Sequence, residues 1–407
     1  MERCMYLRPV GTDFKFSKEF NRMVNIHIGK RRTIWVKKKI VVVQLSGGND
    51  YLNCVIPYDN PHYVDNRPNV RITEDRVIPI GDGLGFNPVM SLIKDLYDQG
   101  KVAVIHGVGY PEPNRSHFRS MDIWHTAEPT KVGNEGWLGN AINQMYPKHD
   151  NVVAAVNFGA GLPRALVSHG APVASVTDLN TYGLMNHVSE LDQRNEALQA
   201  FKDMYSQAIG SGPVMDYLSQ TGLDALKGAE IIGGVTDKYS SDVEYAENSF
   251  AKSMKGAAQI LQADIGTRIC YTQHGSFDAH TNGIALQEGL LTDVSGGIYD
   301  FYDDMKRANK SDDVIMFVFT EFGRRVKDNG NGTDHGSGGV AFVIGDQVDG
   351  GQYSEYPSLA ADQLLEGDLR FNLDFRSVYT EILEDWLEID ASSVVKGEYE
   401  KVGFLKN

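Results

Sequence analysis

The chain reads as an α/β protein built on a mostly parallel sheet, and three observations predict it. Five apolar runs, at residues 40–43, 102–105, 152–156, 314–319 and 340–344, show no alternation of polar and apolar positions, as expected of strands buried on both faces. Helical patterns lie between them, and strand–helix alternation implies a parallel sheet covered on both sides. The 407 residues are 42% hydrophobic, enough for a sizeable core.

The elements follow in order. Residues 1–39 are polar and irregular and read as an N-terminal arm with a basic island of Lys30, Arg31, Arg32, Lys37, Lys38 and Lys39. Arg31-Arg32 invites a twin-arginine export reading, but the apolar stretch that must follow is too short at Thr33–Val36. A single domain is expected over 40–407. Asn87-Pro88 reads as a helix start, with Val89, Leu92, Ile93 and Leu96 on one stripe and Gly100 as the stop. Val243, Phe250, Met254, Ala257 and Leu261 keep helical spacing, as do Leu291, Val294, Ile298, Phe301 and Met305. A helical insertion is expected around 190–262.

Composition narrows the function. With 39 basic and 54 acidic residues the net charge is -15, which disfavours nucleic acid and anionic membranes as partners. No stretch approaches the roughly 20 apolar residues of a membrane helix. Cys4, Cys54 and Cys270 are odd in number and lack C-x-x-C spacing, against both a disulfide scaffold and a zinc ribbon. A small-molecule or carbohydrate substrate is favoured. The residues leave the oligomeric state open.

In such sheets ligands gather beyond the carboxyl ends of the strands. "LSGGNDYLN" follows the first strand and offers Asp50, in what is also an ordinary turn sequence. "HGVGYPEPNRSHFRSMDIW" follows the second and offers Ser116, either as an N-cap or as a nucleophile, with Arg115 beside it to hold an anion. His117 reads as a helix-surface residue or a neutraliser of substrate charge; His106 and His125 read as structural. "QHGSFDAHTNG" carries His274 and the Asp278-x-His280 pair, whose spacing suits joint coordination of zinc or manganese or, more plainly, a cap for the next helix. Glu321 in "TEFGRRV" follows a buried strand directly and needs a partner, either a cation or Arg324. "GTDHGSGG" holds Asp334-His335, a metal pair or a polar turn. Taken together, five strand ends present chemistry along one edge.

"VVVQLSGGNDYLN", "VIHGVGYPEPNRSHFRSMDIW", "GWLGN", "GSFDAH", "TEFGRR" and "GTDHG" resemble, in order, the blocks of the family called domain of unknown function 1501 (DUF1501), a branch of the alkaline phosphatase and sulfatase superfamily. The resemblance implies a three-layer α/β/α sandwich, alkaline phosphatase-like, in which two metal ions activate a nucleophile against a phosphate or sulfate ester. It implies Ser116 as nucleophile, and Asp278, His280 and His335 as ligands of a first ion, zinc or manganese. Asp50 and Glu321, with Ser116, would hold a second. By strand order His335 takes the last histidine position, and Asp334 is a supporting acid or a substitute ligand. Phe322 departs from the pattern where a histidine is usual. That makes the second site oxygen-rich, suited to magnesium, manganese or calcium. "SHFRS" lacks the sulfatase Cys/Ser-x-Pro-x-Arg motif, so Ser116 would act unmodified. Arg115 or His117 would neutralise further charge. The alternative is a metal- or carbohydrate-binding protein that keeps the fold without the reaction. Members are commonly exported, whereas the incomplete signal here leaves a cytoplasmic location equally open.

Overall fold

The structure is a computed structural model that describes residues 38–406 apart from 180, 184–187, 189 and 211. Most of the basic arm, including Lys30, Arg31, Arg32, Lys37 and Cys4, lies outside the described residues. The chain from Lys38 onward is one compact unit.

Twelve strands occur among the described residues: β1 (Lys39–Leu45), β2 (Val55–Ile56), β3 (Ile78–Gly81), β4 (Leu84–Phe86), β5 (Val102–Gly109), β6 (Ala155–Phe158), β7 (Val173–Val176), β8 (Ile269–His274), β9 (Val314–Thr320), β10 (Gly339–Ile344), β11 (Gly351–Tyr353) and β12 (Leu373–Asp374). β2, β4 and β3 form a small separate sheet. The main sheet runs β11-β5-β10-β9-β1-β8-β6-β7, with β12 also on β5. β1 sits at its centre, parallel to both β8 and β9, and all seven of its residues are buried.

Alternate residues of β1 feed two different cores, which is why the strand is apolar throughout. Val41 and Val43 join a core with Ile93, Phe250, Met254, Leu291 and Ile298; Ile40 and Val42 join one with Ile123, Trp124, Leu138, Ile142 and Tyr379. Helices Ser91–Asp98, Ser249–Gln262 and Gly283–Arg307 therefore cover one face, and His117–Thr126, Trp137–Met145 and Phe375–Glu381 the other. The result is a three-layer α/β/α sandwich around a mostly parallel sheet. Helices Leu191–Ala208 and Pro213–Gly233 occupy the stretch read as an insertion.

Three expectations shift. β10 has the composition of a buried parallel strand but is antiparallel to β5 and β9; covered on both faces, it loses alternation whatever its direction. Its reversal brings the loop before it to the edge where the parallel strands end. The predicted strand at 152–156 begins at Ala155. The helix expected from Asn87 begins at Ser91, because Asn87 Oδ1 accepts from the backbone of Val89 and spends that stretch in a turn.

Candidate metal centre at the carboxyl edge of the sheet

Four chain segments meet at that edge: the turn after β1, the start of helix His117–Thr126, the loop after β8, and the loop between β9 and β10. Close approach fixes two glycines. Gly47 has φ 117, and a Cβ there would lie 2.5 Å from the Asp278 backbone nitrogen; a Cβ on Gly332 would lie 2.4 Å from the His280 carbonyl carbon. The "SGG" and "GTDHG" sequences are thus glycine-rich because backbones touch there.

Three histidines point at one carboxylate, and each has its Nδ1 engaged behind it. His117 Nδ1 lies 2.8 Å from Glu321 Oε1. His280 Nδ1 lies 2.9 Å from Asp334 Oδ1. His335 Nδ1 lies 2.8 Å from the Arg115 carbonyl oxygen. Carboxylate and carbonyl oxygens accept, so each Nδ1 carries the proton, and in the neutral ring each Nε2 presents a lone pair.

Those Nε2 atoms converge. His335 Nε2 is 3.0 Å from both His117 Nε2 and His280 Nε2. Asp278 Oδ1 is 2.9 Å from His280 Nε2 and 3.1 Å from His335 Nε2, while Asp278 Oδ2 is 3.5 Å from His117 Nε2. His117, Asp278 and His335 place ligand atoms within 4.8 Å of one another. Lone pairs facing each other at this distance repel unless a cation lies between them. Tetrahedral ligands at zinc–nitrogen bond lengths of ~2.0–2.1 Å stand about 3.3 Å apart, close to the spacing seen.

Electrostatics agree with the geometry. The hydrogen bond to Glu321 raises the proton affinity of His117 above its ordinary value, against a smaller lowering by burial; the same partner makes the ring a stronger ligand. Burial works to raise Asp278, but the Arg324 hydrogen bond and charge, with His280 and His335, hold its carboxyl below the usual range. It is an anion in this setting.

The remaining predicted residues are placed as follows. Ser116 stands at the N-cap of helix His117–Thr126, yet its side chain makes no capping bond and it is exposed. Arg115 turns its guanidinium away, onto Asp368 (2.7 Å from Nε) and Glu366 (3.2 Å), and contributes its carbonyl to His335. Glu321 is 2% exposed; it accepts from Gly47 N at 2.8 Å and from Thr320 Oγ1 at 3.0 Å besides meeting His117. Asp50 is buried against Arg67, 2.6 Å from Nη1. Arg324, considered as a partner for Glu321, bonds Asp278 instead at 2.6 Å. Asn282, not Asp278, stands at the N-cap position of the helix that follows, without a side-chain capping bond. His106 and His125 are buried.

A cavity of about 830 Å³ opens beside the cluster, lined by Ser116, His117 and Asp278 and continuing past Arg119, Asp122, His125 and Arg164. Arg119 and Arg164 share the single carboxylate of Asp122, at 2.6 and 2.8 Å, so this wall carries a net positive charge. Sequence reasoning missed Arg67 and Arg164, which no local pattern marks.

A family model described as "Protein of unknown function (DUF1501)" matches residues 97–393. No curated protein matches the chain. Among solved structures the chain is similar to the PsFucS1 sulfatase from Pseudoalteromonas sp., at 10% identity over 90% of this chain and 71% of that one, TM-score 0.41. It is also similar to the C-terminal periplasmic domain of EcEptC from Escherichia coli, at 8% identity over 91% and 90%, TM-score 0.41. A third is the lipoteichoic acid synthase LtaP from Listeria monocytogenes, at 8% identity over 89% and 75%, TM-score 0.39.

Proposed function

Because this chain belongs to the DUF1501 family, whose description leaves the activity open, its function has to come from its site, and we propose that it is a metal-dependent hydrolase of phosphate or sulfate esters with Ser116 as nucleophile. One observation carries the reading: three imidazoles, each with Nδ1 donated outward, aim Nε2 at one carboxylate. His117, Asp278, His280 and His335 would hold a divalent ion, zinc or manganese by the nitrogen-rich donor set. Such an ion, when bound, supplies Lewis-acid stabilisation of an ester oxygen and favours the alkoxide of a neighbouring serine.

The chain's own groups supply the rest. The N-terminus of helix His117–Thr126 directs backbone N–H groups and partial positive charge toward the substrate anion. Arg119 and Arg164 add fixed charge along the wall, which favours a doubly or singly charged ester over a neutral one. Ser116 Oγ gives up its proton to solvent and attacks phosphorus or sulfur, the bond to the leaving oxygen breaks, and that oxygen takes a proton from water. Water then cleaves the seryl ester and regenerates Ser116. His117 is assigned as a ligand, Glu321 and Asp334 as the carboxylates that orient His117 and His280, and Arg115 as the carbonyl that orients His335.

The commitment of Asp50 to Arg67 favours a second reading, a metal- or carbohydrate-binding protein without turnover. Both are tested together. At least one of an aryl phosphate and an aryl sulfate should be hydrolysed by the metal-loaded protein, not after chelation, and not by Ser116→Ala that retains its metal. Activity persisting in Ser116→Ala rejects the nucleophile; bound metal with no turnover of either ester selects the binding protein.

A further inference from the structure

We infer that this site holds one divalent ion rather than two, and that the buried guanidiniums of Arg67 and Arg324 are the fixed cations that replace a second. The inference rests on the metal reading above and concerns the pair of ions that the family resemblance implies. The residues expected for the second ion do not fit one.

Asp50 has one oxygen bound to Arg67 Nη1 at 2.6 Å, and Arg67 is fully buried. Its other guanidinium nitrogens donate to backbone carbonyls, Nε to Val326 at 3.0 Å and Nη2 to Arg325 at 2.8 Å, so the group is clamped on three sides. An ion at Asp50 would have to coexist with that guanidinium or expel it. Asp50 Oδ1 is buried without a partner, and one oxygen does not make a hard-cation site, which takes six or more ligands. Glu321 has both oxygens in use, on His117 and Gly47 and on Thr320. Phe322 offers no donor atom; its ring packs 4.9 Å from that of His117 and 5.2 Å from that of His335.

Arg324 does for the turn after β1 what an ion would do. It donates to the carbonyls of Gly47 (2.5 Å), Gly48 (2.8 Å), Phe277 (2.9 Å) and Thr333 (2.9 Å) and to Asp278 Oδ1 (2.6 Å). It therefore ties three of the four site segments together and leaves Asp278 one fixed positive neighbour. Charge balance points the same way. Asp50 is paired with Arg67 and Asp278 with Arg324, so these two carboxylates are already neutralised. Glu321 and Asp334, which stand behind His117 and His280, then balance one divalent ion, and a second ion would leave two uncompensated positive charges at the site.

The test is metal stoichiometry. The full chain, stripped by chelation and dialysed against excess zinc or manganese, should retain one ion per chain by elemental analysis after unbound metal is removed. Its manganese form should give the paramagnetic resonance spectrum of isolated ions, a readout that needs no variant to fold. Asp50→Asn should keep that one ion with unchanged affinity while losing thermal stability, and His335→Ala should retain none. Two ions per chain, a spin-coupled manganese spectrum, or loss of an ion in Asp50→Asn would overturn the inference and leave the metal reading standing. No ion in the wild type would overturn both.

Discussion

Two groups of histidines in this chain differ in their surroundings, and the difference teaches what makes an imidazole a ligand. His117, His280 and His335 sit in loops and at a helix start, partly exposed, with Nδ1 on a carboxylate or carbonyl and Nε2 turned toward a shared anion. His106 and His125 are buried in the sheet and in a helix. His106 spans Tyr51 (2.8 Å) and Gln352 (3.1 Å), and His125 meets Gln44 (2.8 Å) and Tyr271 (3.1 Å). Neither has a carboxylate behind it, and burial pushes both down to about 4. The first group has the arrangement that the proposed ion requires; the second is held neutral by burial.

The sharpest break in that comparison is loss of a ligand. His335→Ala should abolish metal retention and with it ester turnover, whereas His125→Gln should keep the ion and cost about 1–3 kcal/mol of stability, the usual penalty for disturbing a buried polar pair. Equal metal loss in both would erase the distinction.

Next comes acid. Between the ordinary histidine value of 6.5 and about 4, the unfolded chain takes up protons on His106 and His125 that the folded chain refuses. Stability is therefore unaffected by these two groups above pH 6.5 and falls as pH is lowered through that window, by roughly 3 kcal/mol for each residue. Denaturant midpoints measured across the window on the wild type and on His125→Gln should diverge; parallel curves would mean that His125 is not held neutral by burial.

The smallest effect sharpens the first group. Glu321→Gln keeps the shape of the side chain but removes the charge behind His117, and should weaken metal affinity about 10–100-fold. Asp334→Asn, behind His280 on a carboxylate side chain 55% exposed, should fall at the weak end of that range because solvent screens it. A larger loss at Asp334 than at Glu321 would reverse the ranking that burial implies.

Much of the fold was legible because it depends on composition along each strand. β1, β5, β9 and β10 announce themselves as unbroken apolar runs, since a strand covered on both faces has no polar side to display. The direction of β10 was not legible, because the same cover erases the only local sign of it. At the site, the Asp278-x-His280 pair stood out as a candidate by its spacing, while His335 was singled out only by what the family resemblance implies. His117 was visible as the first residue of a helix at a strand end, but its role depends on Glu321, 204 residues away in sequence. Arg67 gave no signal at all: nothing in "DNRPNV" distinguishes it from a surface arginine.

The sequence by itself determined an α/β sandwich of the DUF1501 family with its acids, histidines and candidate serine gathered on one edge. Periodicity and chain order are properties of the sequence, and they suffice to place the loops that follow parallel strands on one edge, though not to give the direction of β10. Only the tertiary structure decided which atom of each ring points inward, and that Asp50 faces an arginine while Asp278 faces three imidazoles. Those choices follow from hydrogen-bond partners far apart in sequence. They are settled when the sheet brings β1, β5, β8, β9 and β10 side by side and burial forces every charge among them to find its complement.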